Sequence, residues 1–206
     1  MTPGEPKWRR RKDARPGEIV EAALEVFAEK GFAAARLEDI AARAGITRPS
    51  LLHHYATKET LYAAVVERAF AALGAGLRGA MAAEGAFSRR LDGLIGAFVD
   101  FVEGRPAIAS LIVRELVNAD GPGSRILLDE VSPLLDSVEA FLRRDGKGAL
   151  AAGLPVRAAL VHTCAGVLLR AAAGPLAWPL WGPGAHSRQL ARRLLLADAS
   201  AARSRR

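Results

Sequence analysis

A single cysteine, Cys164, stands among 206 residues, which excludes an internal disulfide framework and fits a reducing compartment. Valine, isoleucine and threonine are sparse and no run alternates in polarity, so strands are not expected. The longest stretch without Lys, Arg, Asp or Glu, residues 171–187, carries Pro175, Pro179 and Pro183, so it does not read as a membrane span. The first residues, "MTPGEPKWRRRKDARPGE", hold no apolar run and read as no secretory leader; a soluble, cytoplasmic chain that needs no membrane is expected. Phosphate loop, nucleophile elbow and metal-ligand spacing are also missing, so neither an enzyme, a cofactor nor a metal is expected.

What is present is apolar content and helical period. Half the residues are apolar, enough for a sizeable core. The period predicts helices near 16–30, 37–44, 47–55 and from 57 or 58 past Phe70, then 88–103, 106–119, 124–144, 155–173 and 185–199. Gly31 is expected to stop the first, and Gly45 to form a tight turn after the second. Net charge is +7, and the excess sits mainly at the two ends. Residues 1–15 hold Lys7, Arg9, Arg10, Arg11, Lys12 and Arg15, the pattern of a flexible basic arm or of a polyanion contact.

The segment "GITRPSLLHHYATKE", residues 45–59, decides between these. On a helix opened by Thr47, Leu51 and Tyr55 share one side, and Pro49 and His53 lie on the other. A proline in the first turn costs no hydrogen bond there. His53 and His54 point about 100° apart, so they do not ligate one ion, and no nearby group would make either one catalytic. Two short helices joined at Gly45 instead form a helix-turn-helix, whose second helix enters the major groove of double-stranded DNA. Arg48 can bond guanine, Pro49 can pack on a thymine methyl, and Ser50 can bond either way. His54 and Lys58 would meet phosphates. A helical hairpin inside an ordinary bundle has the same pattern.

The window "IVEAALEVFAEKGFAAARLEDIAARAGITRPSLLHHYATKETLYAAVVERAF" resembles the N-terminal DNA-binding domain of the tetracycline-repressor (TetR) family. "AALEVFAEKGF", "DIAARAGI" and "SLLHHYATKETL" occur in the family's order. The resemblance implies an all-α protein: a basic arm at 1–15, a three-helix helix-turn-helix domain at 16–66, and a helical ligand-binding and dimerisation domain at 67–206. It implies a ligand-responsive regulator, a repressor, that binds a palindromic operator as a homodimer and is released by a small-molecule effector. A nonspecific DNA-binding or scaffold protein without an effector is the rival reading. Thr47 and Lys58 match the family pattern, and Tyr55 stands where Phe is usual. Leu52 replaces the usual phosphate-binding Tyr, so His53 or the arm must supply that contact. Arg36 replaces the usual capping Thr and could pair with a phosphate instead.

The family also implies that the last two long helices, near 155–173 and 185–199, form the dimer bundle. Ala158, Ala159, Ala165 and Gly166 would let those helices approach closely. For the effector pocket the candidates are Phe98, Phe101 and Val102 from one helix, Arg114 and Asn118 from the next, and His162 from a later one. Arg114 and Glu115 read equally as a surface ion pair. Trp178 and Trp181 are expected to cover the core between the last two helices.

Overall fold

A computed structural model describes residues 15–118 and 120–196. The elements are α1 (Pro16–Ala34), α2 (Leu37–Arg43), α3 (Arg48–His54), α4 (Lys58–Ala82), α5 (Phe87–Glu103), α6 (Pro106–Val117), α7 (Pro122–Asp145), α8 (Val156–Ala172), α9 (Ala177–Trp181) and α10 (Ala185–Leu195). Among the described residues there is no strand, only an isolated antiparallel bridge between Leu150 and Leu196. The protein is all-α.

Local chemistry sets the boundaries. Pro16, Pro106 and Pro122 occupy first-turn positions, where a missing N–H leaves nothing unpaired. The Thr47 hydroxyl accepts from the Ser50 amide at 3.3 Å, and that of Thr57 from the Thr60 amide at 3.1 Å, so α3 and α4 both open on threonine caps. Gly31 interrupts α1 with φ 75° and ψ 169°, as its place in the sequence predicts, and one further turn follows to Ala34. The basic arm falls outside the described residues, apart from Arg15 at the N-cap of α1.

The three N-terminal helices close around Ile19, Val26, Phe27, Ile40 and Leu51, all almost wholly buried. Tyr62 of α4 packs edge-on against Phe27 and Phe32, at 5.0 and 5.1 Å between ring centroids. Further along α4, Phe70, Leu73 and Leu77 are buried against the later helices. The expected boundary at 66/67 therefore lies inside α4, which both parts of the fold share. This helix is long and apolar enough to cross a membrane, but Leu61, Val65, Val66, Phe70, Leu73 and Leu77 are buried in the two parts of the core.

Ion pairs fasten α2 to α1. Arg43 lies 2.6 Å from Glu29 and 3.1 Å from Glu25, and Lys30 lies 2.7 Å from Asp39. The Arg43 hydrogen bond holds the Glu29 carboxyl below its ordinary 4.5. The Lys30 bond lowers Asp39 below 3.8 in the same way. Both groups titrate lower in the folded state, so their contribution is complete above the unfolded values and is lost as pH falls through the folded ones. The thermal midpoint should therefore drop as pH is lowered past about 4.5, and Arg43→Gln should flatten part of that slope; a melting series across pH checks both.

One expectation fails here. Trp178 is 66% exposed and Trp181 39%, so the indoles do not cover the core. They stand on α9, a five-residue helix seated on the end of α8, too short to turn both rings inward.

Candidate nucleic-acid interface and cavity

α3 is held from one side and open on the other. Leu51 is fully buried behind it, with Ile46 buried in the turn before it and Tyr55 half-buried beyond it. Thr47, Arg48, Pro49, His53 and His54 are exposed on or beside the outer side, and Ser50 is half-buried. Arg36 is exposed at the N-cap of α2, where its side chain makes no capping bond. The His53 and His54 rings meet edge-on at 5.7 Å. Arg48 Nε lies 2.8 Å from Glu38 Oε1 of α2, a brace that the sequence spacing does not reveal.

Lys58 needs a correction. Its ammonium is turned toward the end of α1, donating to Ala33 O at 3.1 Å and Ala35 O at 3.2 Å, and it lies 4.6 Å from the centre of the Phe32 ring. Those carbonyls belong to the broken end of α1 and its link to α2, where they accept no helical bond, so they compete with any phosphate for this cation. Lys58 fastens the three-helix unit rather than standing free at its surface.

The second part of the fold encloses a cavity of about 460 Å³. Phe98, Phe101 and Val102 of α5 line it, together with aliphatic residues of α4, α6, α7 and α8. Three other candidates do not. Arg114 faces the end of α1, where it donates to Glu29 O at 3.0 Å, and its stem packs so closely on Gly31 that a Cβ there would lie 2.6 Å away. Asn118 is exposed and bonds back to Arg114 O at 2.9 Å. His162 is exposed on the outer side of α8, its Nδ1 2.8 Å from Ala158 O.

Polar lining is scarce: Glu115, Ser124, Arg125, Thr163 and Cys164. Thr163 bonds back to Ala159 O at 2.8 Å, so its hydroxyl is already engaged. Desolvation pushes the Cys164 thiol up to about 12, which leaves it inert as a nucleophile at neutral pH. Glu115, read from sequence as half of a surface pair, is instead 4% exposed and is one of the residues that line the cavity.

An all-helical chain with a braced three-helix reading unit, joined by one shared helix to a larger cavity-bearing part, defines a helix-turn-helix protein of two-part architecture. Residues 19–65 match the family described as bacterial regulatory proteins, tetR family. The chain is 39% identical over 92 residues to the HTH-type transcriptional activator FasR of Mycolicibacterium smegmatis, covering 45% of this chain and 42% of that one. The aligned part thus spans less than half the length of that curated relative. In overall fold it is similar to the ketosteroid transcriptional regulator KstR2 of Mycobacterium tuberculosis, with TM-score 0.70, 23% identity, and 93% and 100% of the two chains covered. It is also similar to FadR of Bacillus subtilis in complex with stearoyl-CoA, with TM-score 0.71, 17% identity, and 87% and 97% covered.

Proposed function

We propose that this protein is a ligand-responsive transcriptional regulator, a repressor, that binds a palindromic operator as a homodimer and is released by a lipophilic effector. The observation that carries the reading is the outer side of α3: Arg48, Pro49 and His53 exposed together, with Leu51 buried behind them. Arg48 and Pro49 stand in the first turn, where a recognition helix meets base edges. Arg36 and His54 flank them as phosphate contacts.

A lipophilic effector is supported by the lining of the cavity and by its volume, which is in the range of small-molecule sites. The FadR structure similar in fold holds stearoyl-CoA, an amphiphile of the same broad kind. The dimer is supported by α8 and α10: Val161, Leu169, Leu190 and Leu194 are large apolar residues between 43% and 60% exposed, and a Cβ on Gly166 would meet nothing within 4 Å. A two-fold pair of reading helices spaced about 34 Å apart then matches an operator with two half-sites.

The test is a mobility shift with the duplex upstream of the protein's own gene at about 0.15 M salt. Retention of the shift under a large excess of unrelated duplex is expected. Equal competition by unrelated DNA would instead favour the nonspecific binder.

A further inference from the structure

We propose that Glu115 is the switch between the cavity and the helix-turn-helix unit: a neutral lipophilic ligand carrying a hydrogen-bond donor engages its carboxylate from inside the cavity and so releases the Phe32 amide. The inference deepens the regulator reading and rests on it for its biological meaning.

Glu115 joins the two parts of the fold. It stands on α6 in the cavity wall, yet its Oε1 accepts from the Phe32 N–H at 3.1 Å, across 83 positions of sequence. The fit is close, since a Cβ on Gly123 would lie 2.6 Å from Glu115 Oε2 and 2.9 Å from Phe32 Cβ. Beyond Phe32 the connection is continuous. Its ring lies under the Lys58 ammonium, and Lys58 holds the carbonyls of Ala33 and Ala35, just before α2 begins. Loosening Phe32 thus loosens the link that sets α2, and with it α3, on the end of α4.

The carboxylate has capacity for a ligand. Ser124 has a single hydroxyl proton and three acceptors: Asn118 O at 2.9 Å, Glu115 O at 3.1 Å and Glu115 Oε2 at 3.4 Å. The longest of these leaves Oε2 poorly satisfied. A buried carboxylate is an acceptor and a charge, so it favours a hydroxyl or N–H and disfavours an anion beside it. The exposed Arg125 is the one cation lining the cavity among the described residues, and it would draw an anionic head to itself rather than to Glu115.

A second arrangement is available to the carboxylate. Tyr62 is fully buried, its hydroxyl has no hydrogen-bond partner among the described residues, and its ring packs edge-on, 5.1 Å between centroids, against Phe32, the residue whose amide Glu115 holds. On leaving Phe32, Glu115 can take this donor on one oxygen and the ligand's donor on the other. Two alternative pairings of one buried group are what a switch requires.

The probes are N-phenylnaphthylamine, a neutral lipophile with one N–H, and its sulfonated counterpart anilinonaphthalene sulfonate. Fluorescence titration of the full chain should give binding of the neutral probe at least tenfold tighter than of the sulfonate, and Glu115→Gln should narrow that ratio severalfold. Saturation with the neutral probe should raise hydrogen exchange at the Phe32 amide about tenfold. Tyr62→Phe, which keeps the ring and removes the unpartnered hydroxyl, should weaken binding of the neutral probe severalfold and blunt the exchange response together, because the two are linked. Equal affinity for the two probes, no binding of the neutral one, or saturation without a change at Phe32 would each overturn the proposal. None of these readouts uses DNA, so they fail independently of the mobility shift that tests the regulator reading.

Discussion

Arg48→Ala should lower affinity for the operator by about a hundredfold or more and leave the thermal midpoint nearly unchanged. A bidentate arginine–guanine contact is worth about 1–3 kcal/mol, and the proposed symmetric dimer would lose it at both half-sites. The fold should not suffer, because the Arg48 side chain is 54% exposed and its partner Glu38 60%. Substitutions at such positions move stability by roughly 0.5 kcal/mol or less. The loss should be specific to the operator, with weak binding to unrelated duplex falling much less. Glu38→Gln is the informative companion: it frees Arg48 and removes an acidic group close to the phosphates, so binding should tighten. A mobility-shift series on the single and double variants settles this. Equal losses on operator and random DNA would demote Arg48 to a phosphate contact.

Leu190→Asp combined with Leu194→Asp should break the proposed dimer into folded monomers and reduce affinity for the proposed operator by about 10²–10⁴-fold, the usual scale of lost avidity. Both leucines lie one turn apart on α10, 60% and 43% exposed, while Ala191 and Leu195 on the same helix are buried against the chain's own core. The helix is thus apolar on two sides, and only one of them is used within the chain. Charges placed on the other cost the monomer little but cannot be desolvated across a two-fold contact without several kcal/mol. Light scattering reads the mass, and circular dichroism checks that the helices remain. A variant that stayed dimeric would place the interface elsewhere.

Much of the N-terminal unit was legible from sequence because its signals are local. Pro16, Gly31, Thr47 and Thr57 each mark a helix boundary through chemistry within four residues, and Leu51 and Tyr55 reveal the inner side of α3 by spacing alone. The site residues that were misread depend on partners far along the chain. Arg114 and Glu115 looked like a surface pair because nothing near them indicates that Glu29 and Phe32, more than eighty positions earlier, supply their contacts. Lys58 has an obvious charge but a hidden task, since the carbonyls it holds lie more than twenty positions upstream. The three candidates that line the cavity, Phe98, Phe101 and Val102, are apolar residues on a strongly amphipathic helix, where period is informative. A short helix between prolines, such as α9, has too few turns to show any period.

The sharing of α4 has a mechanical outcome. Its 25 residues make a rod about 38 Å long at 1.5 Å per residue, with Lys58 at one tip and the cavity wall toward the other. A tilt of about 5° at the far half sweeps the near tip through roughly 2 Å, and two such rods in a symmetric pair add their sweeps. A few ångströms is enough to put twin reading helices out of step with one turn of duplex, so a small swelling of the cavity would be amplified by leverage alone.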